Sequence, residues 1–245
     1  MRYQYIISVV SHQQMHLVNL LLRDLEKLSL EDTLVIVRCN IPENIEPVET
    51  ELNVHYVYNK SPYGFSKNHN LNFRLFSSKY FIVVNPDIRI HTHDVINKLS
   101  EYSSSVSDKY ILSPVVLSLS GEIEDFARPF PSFFSMVKRV LFKEKYFERE
   151  FKNCTPISVD WTAGMFHFFP SDIYILLGGY DEKYFLYCED ADICLRGKRL
   201  SIETRVYPEV SVTHDAQRAS KKSLKYFVIH LTSIIRFWCR LYTKT

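Results

Sequence analysis

Five carboxylates, Asp181, Glu182, Glu189, Asp190 and Asp192, lie in one stretch with Tyr184, Phe185, Tyr187 and Cys188. Acids that crowd one another beside apolar groups repel and lose hydration, and both effects raise a carboxylate pKa toward the range that suits a general base. The adjacent pair Glu189-Asp190 is the sharpest instance. Asp190 and Asp192 also suit a helix N-terminus, so a capping role is the plainer alternative for each. Asp192 and Arg196 are spaced for an i,i+4 pair. A second candidate is Asp87, in Asn85-Pro86-Asp87 directly after the apolar run Tyr80-Phe81-Ile82-Val83-Val84. An acid just past the carboxyl end of a buried parallel strand sits where open α/β sheets bind ligands, although the tripeptide is equally good turn chemistry. His214 closes another strand-like run, where a hydrogen-bonded strand-end histidine is the alternative to a ligand.

Elements that position these groups can be read from the periodicity. Tyr3 to Val10 is nearly continuous in apolar character, as a strand covered on both faces requires, and Leu17, Val18, Leu21, Leu22, Leu25 and Leu28 then recur at helical spacing. Leu34 to Val37 and Val54 to Tyr58 continue a parallel sheet, with a polar loop between them. Ser66 is placed to cap a helix running to about Phe76, and Asp94 another reaching about Tyr102. An apolar strand from Tyr110 to Leu119 precedes a hairpin turn at Ser120-Gly121; Ser132 to Phe142 reads as helical inside an irregular insertion. Val159 to Phe169 is strand-like with a small-residue step at Gly164, which permits close approach to backbone, and a helix begins near Asp190. Ile202 to Tyr207 and Val210 to Thr213 read as two short strands around Pro208. A basic, aromatic helix follows from Tyr226 to Arg240.

The 245 residues, 46% hydrophobic, suffice for one α/β domain with a terminal appendage. A net charge of +2 leaves no polycation to bind nucleic acid. Five dispersed cysteines without a C-x-x-C pair argue against a disulfide framework and a structural zinc site, and suit a reducing cytoplasm. No stretch is long and apolar enough to span a bilayer, and the short N-terminal apolar run reads as a strand.

Six pieces now stand in order: Gly64-Phe65-Ser66-Lys67-Asn68-His69-Asn70, Asn85-Pro86-Asp87, Trp161-Thr162-Ala163-Gly164, Gly178 to Phe185, Glu189 to Arg196, and His214. Together they resemble the inverting glycosyltransferases of family 2, with the GT-A fold, within the bacterial rhamnosyltransferase-like group. The resemblance spans roughly residues 3 to 220. It implies a single Rossmann-like domain over 1–219 with a mostly parallel central sheet flanked by helices. About 1–120 would form the nucleotide-sugar half and about 121–219 the acceptor half, with 220–245 a C-terminal helical segment.

The resemblance further implies Asp190 as base, and Glu189, Asp181 and Trp161 on the acceptor. Ser11, Asn40, Gly64, Lys67, Asn70, Asn85, Asp87 and Gly164 fall to the donor, with Arg218 and Lys221 closing over its diphosphate. Asp87 and His214 would hold Mn²⁺ or Mg²⁺, the metal offsetting the leaving group's charge. Two departures stand out: Asn85 occupies the place of a second acid, and Arg38-Cys39-Asn40 replaces an acid that reads the nucleobase. The implied reaction moves L-rhamnose from dTDP-rhamnose, or alternatively a UDP-hexose, to a lipid-linked O-antigen or capsule acceptor at the inner face of the cytoplasmic membrane. The terminal helix then packs on the domain, lies on that membrane or meets a second subunit. A non-catalytic glycan-binding or assembly subunit is the rival from another class. A sugar-nucleotide pyrophosphorylase is excluded, since it needs a glycine-rich loop after the first strand and no glycine precedes Gly64.

Overall fold

The structure, a computed structural model, describes residues 2–106, 109–131, 151, 155–216 and 224–243. Strand β1 (Tyr3–Ser11) lies between β2 (Thr33–Cys39) and β4 (Ser78–Val84), all parallel, with β3 (Val54–Tyr58) parallel beyond β2. On the other side β10 (Phe166–Pro170) runs antiparallel between β4 and β6 (Tyr110–Ser118). Strand β11 (Glu203–His214) then restores the parallel direction beside β6, and pairs antiparallel with β5 (Ile88–Arg89) and β8 (Ile157–Val159). A short ladder joins β7 (Ala127–Arg128) to β9 (Trp161–Thr162). This is the α/β, mostly parallel sheet that the residue pattern implies.

Alternation along the strands divides the core. Ile7 and Val9 of β1 and Ile82 and Val84 of β4 face one layer with α1 (Met15–Glu26) and α3 (Val95–Ser105). Ile6, Phe81 and Val83 face the other, with α4 (Ser171–Leu176), α5 (Glu189–Arg199) and Phe237 of α6 (Leu224–Tyr242). Because both faces are covered, these strands read as unbroken apolar runs.

Local chemistry corrects two of the expected boundaries. Helix α2 (Phe65–Phe73) is capped by Gly64 rather than Ser66, whose hydroxyl is buried without a partner among the described residues. A Cβ at Gly64 would stand 2.3 Å from the Phe185 carbonyl oxygen, so only glycine admits this close crossing. The two strands expected around Pro208 are one: β11 keeps pairing with β6 but shifts register between Tyr207 and Ser211, since proline lacks the N–H that the ladder needs. The helix expected at Ser132 to Phe142 lies outside the described residues, as do Arg218 and Lys221.

The terminal helix packs on the domain. Phe237 and Ile234 are buried, Ser233 donates to the Leu186 carbonyl at 2.8 Å, and Arg240 reaches Asp181 at 2.8 Å and Asp192 at 3.1 Å.

Candidate active site

The carboxyl ends of β1, β2 and β4 open onto a cleft of about 650 Å³, closed opposite by Tyr63 to Phe65 and by Phe185 to Tyr187. Asn85 and Asp87 lie on its floor. The Asp87 Oδ2 is 3.2 Å from His214 Nε2, while Glu124 Oε2 is 2.9 Å from His214 Nδ1. Burial works against protonating His214, but hydrogen bonds and charge from Asp87, and then from Glu124, outweigh it and hold the imidazole at about 9. Asp87 Oδ1 is buried and has no hydrogen-bond partner among the described residues. An orphaned carboxylate oxygen beside an imidazole whose far nitrogen is fixed by a carboxylate fits a divalent cation that displaces the proton from His214 Nε2. No cluster of three such ligands occurs among the described residues, so Asp87 and His214 would leave most positions to phosphate and water. Behind them Asp24 on α1 grips Arg89 at 2.7 Å and 3.0 Å, fixing β5 just past Asp87.

Asp190 sits in the first turn of α5, its Oδ2 accepting from the Gly164 N–H at 3.1 Å and its Oδ1 from the Ala191 N–H at 2.8 Å. The same β9–β10 turn binds the Asn85 N–H through the Met165 carbonyl at 2.9 Å. One turn therefore braces both acids. Burial raises the Asp190 carboxyl while those N–H groups oppose the rise. Glu189 is pushed far higher, by burial and then by Asp190, and its Oε2 has no hydrogen-bond partner among the described residues. Both carboxyls are raised, Glu189 the more, which favours a proton on Glu189 ahead of Asp190, the direction of separation that acid–base chemistry uses. The preceding Tyr187 and Cys188 have φ of 71° and 64°, left-handed values that strain non-glycine residues.

The other sequence candidates divide. Gly64 lines the cleft, and Gly164 packs 3.3 Å from the ring of Phe65, which does too, measured from an ideal Cβ. Ser11 is fully buried, its hydroxyl accepting from the Gln14 N–H. Asn40 lines the cleft but spends its amide on Tyr63, Asn59 and His12. Lys67 lies 4.0 Å over the Tyr63 ring. Asn70 belongs elsewhere: its amide bonds Tyr180, Glu182 and Tyr174, pinning the Gly178-Gly179 loop to α2, and a saturated buried amide has nothing left for a donor. Asp181 is taken up by Arg240 and by the Lys183 N–H. Trp161 is 8% exposed, its indole N–H given to the Pro129 carbonyl.

Sequence reasoning missed Glu124, His69, His167 and the buried Arg38. The β6 hairpin delivers Glu124 through its N–H bond to the Val116 carbonyl, but only the distant β6–β11 pairing brings His214 alongside. Arg38 donates to Asn72 and Asn59, and Asn59 in turn holds Asn40 and Asn68 beneath the cleft. His167 is wholly buried, bonded to Tyr180 and Thr162, and burial lowers it to about 4. A free histidine titrates near 6.5, so as pH falls below that value the unfolded chain takes the proton first and this stabilisation is lost progressively down to about 4. Wild type should therefore lose about 2 kcal/mol relative to His167→Gln between about pH 7 and about pH 5, read by urea unfolding. A pH-independent difference would refute the neutral, buried imidazole.

No family model matches the chain. In sequence it is 28% identical over 192 residues to the rhamnosyltransferase WbbL of Escherichia coli K12, covering 73% of this chain and 71% of that protein. In fold it is similar to a mannosyltransferase, PcManGT of Pyrobaculum calidifontis, solved with GDP-Man and Mn²⁺: TM-score 0.62, 12% identity, 96% of this chain and 65% of that one. It is similar also to residues 1–349 of TarS from S. aureus, with TM-score 0.58 and 11% identity over 87% of this chain and 60% of that one. The chain thus spans less than two thirds of either solved structure.

Sheet order, cleft and these likenesses define a glycosyltransferase of the GT-A fold. Within that class its likeness in sequence is to a bacterial rhamnosyltransferase.

Proposed function

We propose that this glycosyltransferase moves L-rhamnose from dTDP-rhamnose, with inversion, to a hydroxyl of a lipid-linked surface polysaccharide of the O-antigen or capsule type. The observation that carries the reading is the pair of acids braced by one turn, Asp190 through Gly164 and the Asp87 loop through Asn85 and Met165. The likeness to WbbL favours the rhamnosyl donor.

In the reaction, the acceptor oxygen bonds to the anomeric carbon as the bond from that carbon to the diphosphate oxygen breaks. The electron pair leaves with the nucleoside diphosphate, and the acceptor proton passes to Asp190. Gly164 and Ala191 hold that carboxylate in place, while burial and the charge of Asp190 favour the neutral form of Glu189 beside it. Asp87 and His214 would hold Mn²⁺ or Mg²⁺, whose charge stabilises the departing diphosphate. Phe185 and Tyr187 line the cleft.

A donor panel read by release of nucleoside diphosphate, with Mn²⁺ present, tests the proposal. Release from dTDP-rhamnose above that from UDP-hexoses is expected. Preference for a UDP-hexose would replace the donor, and no release from any donor would favour a glycan-binding or assembly role.

A further inference from the structure

Helix α6 has two apolar faces and the domain covers one. Leu224, Phe227, Val228, Leu231, Ile235 and Tyr242 are 46% to 78% exposed and recur at three- and four-residue steps, so they form one continuous stripe opposite buried Ser233 and Phe237. A water-soluble surface rarely leaves such a stripe bare without a partner. Charge selects the partner: after Asp215 the sequence has seven Lys or Arg and no Asp or Glu. Arg236 and Arg240 are turned to the domain, bonding the Lys183 carbonyl and the acids Asp181 and Asp192, so the excess that remains belongs to the sequence at the two ends of α6. An anionic bilayer would take it together with the apolar stripe, whereas two copies side by side would bring like charges together. No helix among the described residues is long and apolar enough to cross a membrane, which leaves α6 to lie along the interface.

Position adds a reason. Tyr226, in the first turn of α6, lines the cleft, and His230 meets the Tyr187 ring edge-on at 4.9 Å. Phe185, another cleft residue, is 48% exposed. We infer that the outer face of α6 docks on an anionic lipid surface and lays the cleft mouth beside it. The inference rests on the transferase reading only for what the bilayer presents there, a lipid-linked acceptor.

The test is co-sedimentation of the full chain, without donor, with vesicles of phosphatidylcholine alone and of three parts phosphatidylcholine to one part phosphatidylglycerol. Wild type should pellet with the mixed vesicles and stay in solution with the neutral ones. The variant Phe227→Gln/Leu231→Gln/Ile235→Gln, with an unchanged thermal transition, should partition at least about tenfold more weakly. Equal partition of variant and wild type, no preference for the anionic vesicles, or a wild-type dimer that the variant makes monomeric would each overturn the docking. Nucleotide release measured without vesicles scores the transferase reading separately, and the variant should keep it.

Discussion

Asp190→Asn should abolish sugar transfer while leaving the fold and donor affinity intact. Asparagine keeps one oxygen, which accepts from either the Gly164 or the Ala191 N–H, so the first turn of α5 loses one of these two bonds and keeps the other. It lacks the lone-pair basicity to take the acceptor proton. General-base catalysis contributes on the order of 10² to 10⁴ in rate, and a loss of kcat in that range or beyond is expected with little change in donor binding by calorimetry. Because the wild-type carboxyl is raised by burial, transfer should also fall as pH drops and the base is protonated. A folded Asn variant with wild-type turnover would remove Asp190 from the mechanism.

Replacing Asp192 should be the most damaging single change to stability. This carboxylate is wholly buried, with Arg196 Nε at 2.8 Å, Arg240 Nε at 3.1 Å and the Tyr184 hydroxyl at 3.1 Å. Removing one partner of a buried ion pair strands the remaining charge, at a cost of about 3 to 5 kcal/mol. Asp192→Ala leaves Arg196 without its carboxylate and Arg240 with Asp181 alone, and removes one of the ties between α6 and α5. Denaturant unfolding should show that loss, and limited proteolysis should cut near α6 first; a variant as stable as wild type would mean that the arginines find other acids.

Asp192 also marks how far the sequence could be read. Its pairing with Arg196 followed from helical spacing alone, because i and i+4 always share a face. Its pairing with Arg240 did not, since nothing local links residues so far apart. The same division runs through the site. Asp87 was legible because an apolar run ending in Asn-Pro-Asp signals a strand terminus, and Asp190 because acids among aromatics are chemically conspicuous. Glu124 was not, because its place beside His214 depends on the long-range pairing of β6 with β11. Asn70 misled for the opposite reason: it stands in a motif facing the donor, yet its side chain turns to the Gly178-Gly179 loop, where every polar atom finds a partner. Pro208 looked like a strand break, and the sheet absorbed it as a register shift.

The antiparallel strand β10 has a consequence for the order of folding. Strands β1 to β4 form a nearly local unit that can assemble as soon as they are synthesised, but the free edge of β4 is covered only when Phe166–Pro170 arrives. β6, made earlier than β10, has no place in the sheet until then, since β10 is the strand between them. A nascent chain stopped short of Phe166 therefore carries an unpaired, mostly apolar strand edge, the feature that recruits other chains into aggregates. The strand between β4 and β6 is thus the one whose arrival commits the chain to its native sheet.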